Sequence, residues 1–204
     1  MALLGRGGER QRRGTPADLL VVGLGNPGDD YAGTRHNAGS DTVAVLAARH
    51  GGRLKRGKER ALSTEIRTGD GVLVALAIPL TFYNESGSAV LLLTRRHGIE
   101  DPRRVVVVHD ELDLPMGTIK VKVGGGLAGN KGLASVKAHL HTEDFCRVRI
   151  GVGKPTGSKQ GADHVLRRPG KRERVELDVS IQEAADAVEL LAAKGPDQAM
   201  NRFN

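Results

Sequence analysis

The sequence predicts a single α/β domain with a mixed β-sheet flanked by helices, and three observations carry that prediction. Leu19 to Leu24 and the VVVV core of Arg104 to His109 are continuous apolar runs, the pattern of strands buried on both faces. The first run leads through a loop into a stretch with helical apolar spacing, which makes a β-loop-α unit. Gly69-Asp70-Gly71 joins two strand-like runs in a tight-hairpin signal, so the sheet is mixed rather than purely parallel. At 204 residues, 39% of them apolar, the chain has material for one sizeable core.

The elements follow in order. Residues 1 to 17 form a basic, glycine-rich leader with Arg6, Arg10, Arg12 and Arg13, expected to be disordered, and the domain is expected over 18 to 204. After the strand at Leu19 to Leu24, Asn26-Pro27-Gly28 turns the chain. Val43, Leu46 and Ala47 keep helical spacing from Ala38 to His50, and Gly51-Gly52 stops that helix. Ala61 to Thr68 and Val72 to Ile78 are the hairpin strands. PLTFYNESG then opens a helix from about Glu85 to His97, closed by Gly98.

The strand over Arg104 to His109 delivers Asp110 at its carboxyl end, where open α/β sheets collect functional groups. Thr118 to Val123 alternates Ile119, Val121 and Val123 with Lys120 and Lys122, giving one apolar and one basic face. A glycine-rich loop, Gly124 to Gly132, opens a helix reaching about His141. Arg147 to Val152 is a short strand with Arg147 and Arg149 on one face. Thr156 to Pro169 is polar and irregular, the composition of a flap. A final helix over Lys171 to Lys194 stops at Gly195-Pro196, before a short tail ending in MNRFN.

Charge and composition narrow the function. Thirty-one Lys plus Arg against 24 Asp plus Glu give a formal charge of +7, which suits a polyanionic partner such as nucleic acid. Aromatics are only 2% and Trp is absent, so an RNA partner would be held through phosphate and shape rather than by stacking of successive bases. A single cysteine, Cys146, excludes an internal disulfide or a thiolate cluster and fits a reducing compartment. With no membrane-length apolar run and no apolar segment of a signal peptide, the expected location is the cytoplasm.

The chemistry gathers in Leu20 to Asn37, a strand-to-helix loop carrying two Asn, a Tyr, an Arg and a His. Gly23-x-Gly25-x-x-Gly28 satisfies the dinucleotide fingerprint on paper. It lacks the immediate helix start and the acidic residue about 20 positions on, where Arg49 and His50 stand instead. An imidazole such as His36 can take a proton from water near neutrality when an acidic group orients its other ring nitrogen, and Asp110 is a fitting partner. No Ser or Cys sits in a nucleophile elbow, so direct attack by a His-activated water is simpler than a covalent intermediate. Asn26 and Asn84 can donate amide hydrogens to a carbonyl or oxyanion, though each also suits a turn or cap. His139-x-His141 with Glu143 and Asp144 lacks a third well-spaced ligand, so no metal site is expected.

Taken together, VVGLGNPGDDYAGTRHNAG, PLTFYNESG, VVVHDELDLPMGTIKVKVGGG, RVRIGVGKP and the closing AMNRFN resemble bacterial peptidyl-tRNA hydrolases in order and spacing, from about Asp18 to Asn204. That resemblance implies a twisted mixed sheet between helices and hydrolysis of the ester joining peptide to tRNA, by a monomer using no metal or other cofactor. It makes His36 the catalytic base and Asp110 its orienting carboxylate. Asn26 and Asn84 then hold the peptide and the tetrahedral intermediate, Tyr31 lines the crevice, and Lys122 with Arg149 grips a tRNA phosphate. Three positions depart from the family pattern. Tyr83 stands where most members have Met, and the usual GGxxGHNGL is GGGLAGNKGL, which puts Asn130 and Lys131 in the place of a His-Asn pair. Tyr83, Asn130 and Lys131 are expected at the substrate. The altered loop also allows an alternative reading, an RNA-binding module on the same fold that has lost catalysis.

Overall fold

Seven strands form one mixed sheet in a computed structural model that describes residues 14–155 and 161–204. They are β1 (Leu19–Gly23), β2 (Lys55–Arg56), β3 (Ala61–Arg67), β4 (Leu73–Pro79), β5 (Val105–Glu111), β6 (Ile119–Val123) and β7 (Cys146–Gly151), and their spatial order is β2-β3-β4-β1-β5-β7-β6. The central strands β4, β1, β5 and β7 run parallel, while β2, β3 and β6 pair antiparallel at the two sides. β1 and β5 are buried at every position, as their unbroken apolar runs require.

Both faces are covered. Helices α1 (Ala38–Arg49), α5 (Lys171–Lys194) and α6 (Pro196–Phe203) pack on one face, where Val43, Leu46, Leu177, Ile181, Val188 and Ala199 meet Val21, Val106 and Val108. Helices α2 (Ser86–His97) and α3 (Lys131–Leu140) pack on the other, where Val90, Leu93, Leu133 and Val136 meet Leu20, Val22, Val105 and Val107. The loops leaving the carboxyl ends of the neighbouring strands β1 and β4 therefore part to opposite faces. The crevice between them is a topological switch point, the place where open α/β sheets bind their ligands.

Three expectations change at the periphery. The closing segment is helical rather than a tail: Pro196 begins α6, and the side chain of Asn204 then bonds both backbone groups of Val121 on edge strand β6, each at 2.9 Å. Within the segment read as a flap, residues 156–160 lie outside the described part, while Gly161–Val165 is a short helix, α4. Residues 1–13 of the leader also lie outside it. Its end is packed, since Ala17 is buried and the Thr15 carbonyl accepts from His97 Nδ1 at 2.9 Å. Among the described residues no helix is long and apolar enough to cross a membrane.

Candidate active site

The loop after β1 is shaped by close backbone approaches before any side chain acts. A Cβ on Gly23 would stand 2.2 Å from the Gly39 carbonyl oxygen, and one on Gly39 would stand 2.2 Å from that of Val108. The start of α1 thus lies directly on the ends of β1 and β5, which no residue larger than glycine permits. This is what Gly23 of the apparent fingerprint does here; Gly25 leaves room for Asn37 and Ser40. Asn37 then closes the loop, accepting from Asn26 N at 2.9 Å and donating to Asn26 O at 3.0 Å.

His36, in the 3₁₀ turn Arg35–Asn37 that feeds α1, is carried over the end of β5. Its Nδ1 lies 3.0 Å from each carboxylate oxygen of Asp110, with 17% of the His36 side chain and 4% of that of Asp110 exposed. A carboxylate accepts, so Nδ1 carries the proton and Nε2 is left as the basic atom. The imidazole stacks on the Tyr83 ring at 3.6 Å between centroids and 15° between planes. The Tyr83 hydroxyl donates to Asp110 Oδ1 at 2.8 Å and accepts from Asn130 Nδ2 at 3.0 Å. Burial first, and the Asp110 charge second, push the Tyr83 phenol well above its ordinary value, so it stays a donor. Neighbouring His109 is fully buried, and burial lowers its value and keeps it neutral.

Asn26 Oδ1 accepts from Tyr83 N at 2.8 Å, which fixes the amide and leaves its Nδ2 hydrogens for a ligand. Asn26, His36, Tyr83, Asn84, Asp110, Asn130 and Lys131 all line one cleft of about 710 Å³, to which Phe82, Leu112, Val165 and Leu166 add an apolar lining. Tyr31 is not among the lining residues. It packs edge-on against Phe82, with centroids 6.4 Å apart. Asn130 has both ends of its amide engaged, since its Oδ1 caps α3 by accepting from Leu133 N at 3.0 Å. Lys131 is exposed at the rim.

The basic strands divide by burial. Lys120, Lys122, Arg147 and Arg149 share one face of the β6–β7 pair, in the register Lys122 to Arg147 and Lys120 to Arg149. Lys122 is exposed, whereas Arg149 donates to Glu111 Oε2 at 3.1 and 3.2 Å. Arg147 departs from the outward reading: it is 2% exposed, and its guanidinium donates to the carbonyls of Gly124, Gly125 and Gly126, holding the glycine-rich loop over itself.

A second interaction went unassigned in the sequence. Arg35, beside the base, donates to both carboxylate oxygens of Glu173 at 2.7 and 2.5 Å and to the His164 and Arg167 carbonyls at 3.0 Å each. It ties α4 and the start of α5 to the 3₁₀ turn. Adjacency to His36 was its only signal in sequence. Among the described residues no group of three or more His, Cys, Asp or Glu is placed to hold a metal ion.

Residues 20–204 match the family model described as peptidyl-tRNA hydrolase. A peptidyl-tRNA hydrolase of Frankia alni is 48% identical over 185 residues, covering 91% of this chain and 93% of that one. One of Pseudarthrobacter chlorophenolicus is 47% identical over 186 residues, covering 91% and 94%. The crystal structure of peptidyl-tRNA hydrolase from Acinetobacter baumannii superposes with a TM-score of 0.84 at 37% identity, over 97% of each chain.

Proposed function

The chain belongs to the peptidyl-tRNA hydrolase family, and from that premise we propose that it hydrolyses the ester between peptide and tRNA, with a water activated by His36. The observation that carries the residue assignment is the commitment of His36 Nδ1 to both oxygens of Asp110, which reserves Nε2 for a proton at the cleft.

Nε2 takes a proton from water as the water oxygen bonds to the ester carbonyl carbon, and Asp110 stabilises the imidazolium so formed. The Nδ2 hydrogens of Asn26 and the amide of Asn84 meet the oxyanion of the tetrahedral intermediate. As that intermediate collapses, the ester C–O bond breaks and the imidazolium returns its proton to the departing ribose oxygen. The products are a peptide carboxylic acid and a tRNA freed for reuse after stalled or aborted translation. Base, carboxylate and amides supply the whole reaction, which on this reading needs no metal or other cofactor and is carried out by a cytoplasmic monomer. Tyr31 contributes through Phe82, which it braces at the cleft. Lys131 stands where the acceptor end would enter, and Lys122 with Arg149 holds a tRNA phosphate further out, Arg149 exchanging Glu111 for that phosphate.

The test is release of peptide from purified peptidyl-tRNA by wild type and His36→Ala. The variant is expected to lose roughly two to four orders of magnitude in turnover while a filter-binding assay shows tRNA affinity unchanged. Near wild-type turnover in His36→Ala would overturn the assignment of the base. The comparisons give no support to the alternative of a catalytically silent RNA-binding module.

A further inference from the structure

Tyr83 and Asn130 both line the cleft, and the structure joins them with Asp110 and His36 into one connected chain of hydrogen bonds. Every donor and acceptor in it is forced. Leu133 N–H can only donate, so Asn130 must present Oδ1 to it and Nδ2 to the Tyr83 hydroxyl. The hydroxyl, with an acceptor site filled by that amide, turns its single proton to Asp110 Oδ1. Asp110 Oδ1 is one of the two oxygens that His36 Nδ1 shares equally at 3.0 Å.

An imidazole N–H shared equally between two oxygens leaves the carboxylate free to rock about its own bond. The phenol removes that freedom by fixing one oxygen, and its ring holds the imidazole plane by stacking at 3.6 Å. We propose that Tyr83 and Asn130 are positioning residues: the amino end of α3, acting through Asn130 and the Tyr83 hydroxyl, sets the orientation of Asp110 and thereby the tautomer of His36. This rests on the reading of His36 and Asp110 as the dyad, and it replaces the expectation that Tyr83 and Asn130 act by contacting substrate.

Two substitutions separate the roles. Tyr83→Phe keeps the stacked ring and removes only the hydroxyl. Asn130→Asp keeps an oxygen to cap α3 but cannot donate to the phenol, which then has a second carboxylate to turn toward. Each is expected to lower kcat about tenfold with KM changed less than about twofold, the size of effect a misdirected charge-assisted hydrogen bond gives. The double variant should be no slower than the slower single one, because both act through the same proton. Long-range ¹H–¹⁵N NMR of the histidine rings, without substrate, reads the tautomer directly, with the His36 signal identified by its loss in His36→Ala. Wild type should hold Nδ1 protonated and Nε2 bare, and both variants should show averaged nitrogen shifts. A loss confined to KM would return these residues to substrate binding, and an unchanged His36 tautomer with unchanged kcat would make them a passive wall. Either result overturns the proposal. Failure of the dyad reading itself is distinct, appearing as a His36→Ala variant that still turns over.

Discussion

Gly39→Ala tests whether backbone contact, rather than side-chain packing, places the catalytic base. The added methyl would stand 2.2 Å from the Val108 carbonyl oxygen and 2.8 and 2.9 Å from Leu24 N and O, all of them backbone atoms that cannot swing aside. Moving the worst contact out to 3.4 Å, where ordinary van der Waals contact begins, displaces the start of α1 by roughly 1 Å, and at a reacting geometry that costs about a hundredfold in rate. The Ser40 N–H to Leu24 O bond, 3.0 Å in length, stretches with it. Overpacking of this kind destabilises by about 1 to 3 kcal/mol or more, and for a chain of this size each kcal/mol lowers Tm by roughly 2 to 4 °C. Steady-state hydrolysis of peptidyl-tRNA gives the first number and a thermal melt the second. A variant within about threefold of wild-type kcat/KM, a difference of well under 1 kcal/mol, would show that the base is not positioned by this approach.

Two further outcomes follow from the charges. Lys122→Ala and Arg149→Ala should each weaken full-length tRNA and reduce the slope of log affinity against log salt by about one, while sparing a short aminoacyl-nucleotide mimic; equal loss on both substrates would move these residues to the reacting centre. Hydrogen bonding to Arg35 holds the Glu173 carboxyl below its ordinary value, so the stability it contributes is present at neutral pH and is lost as pH falls through its folded value. The melting difference between wild type and Glu173→Gln should therefore shrink in acid, below the ordinary glutamate range, and a pH-independent difference would mean that the ion pair is not its source.

The sequence made the sheet legible where burial is two-sided, because Leu19 to Leu24 and the VVVV run leave little other option. It was least informative where an element is made by its neighbour. Lys55 and Arg56 are both exposed and become a strand only by pairing with Leu62 and Ser63. Gly195-Pro196 reads as the end of a helix, although a proline fits the first turn of one equally well, and here Pro196 begins α6. Candidate groups were legible one by one, His36 and Asp110 by their chemistry and the others through the family resemblance, although an Asn at a turn suits a cap as well. Beyond the His36–Asp110 pair, their partnerships were not. Arg35 and Glu173 are 138 positions apart, and Asn130 meets Tyr83 across 47. Alternation put Arg147 on the basic face correctly, but the pleat does not record that a glycine-rich loop folds back over it.

The Arg35 clamp also governs how this region comes apart. Opening α4 and the start of α5 away from the cleft breaks the paired bonds to Glu173 together with those to the His164 and Arg167 carbonyls, and all of them converge on the residue preceding His36. The cleft wall and the catalytic turn are then one cooperative unit of local unfolding. Amide protons in α4 and in residues 34–37 should exchange with a common opening free energy, and a protease that nicks the wall does so from a state in which the base is already displaced.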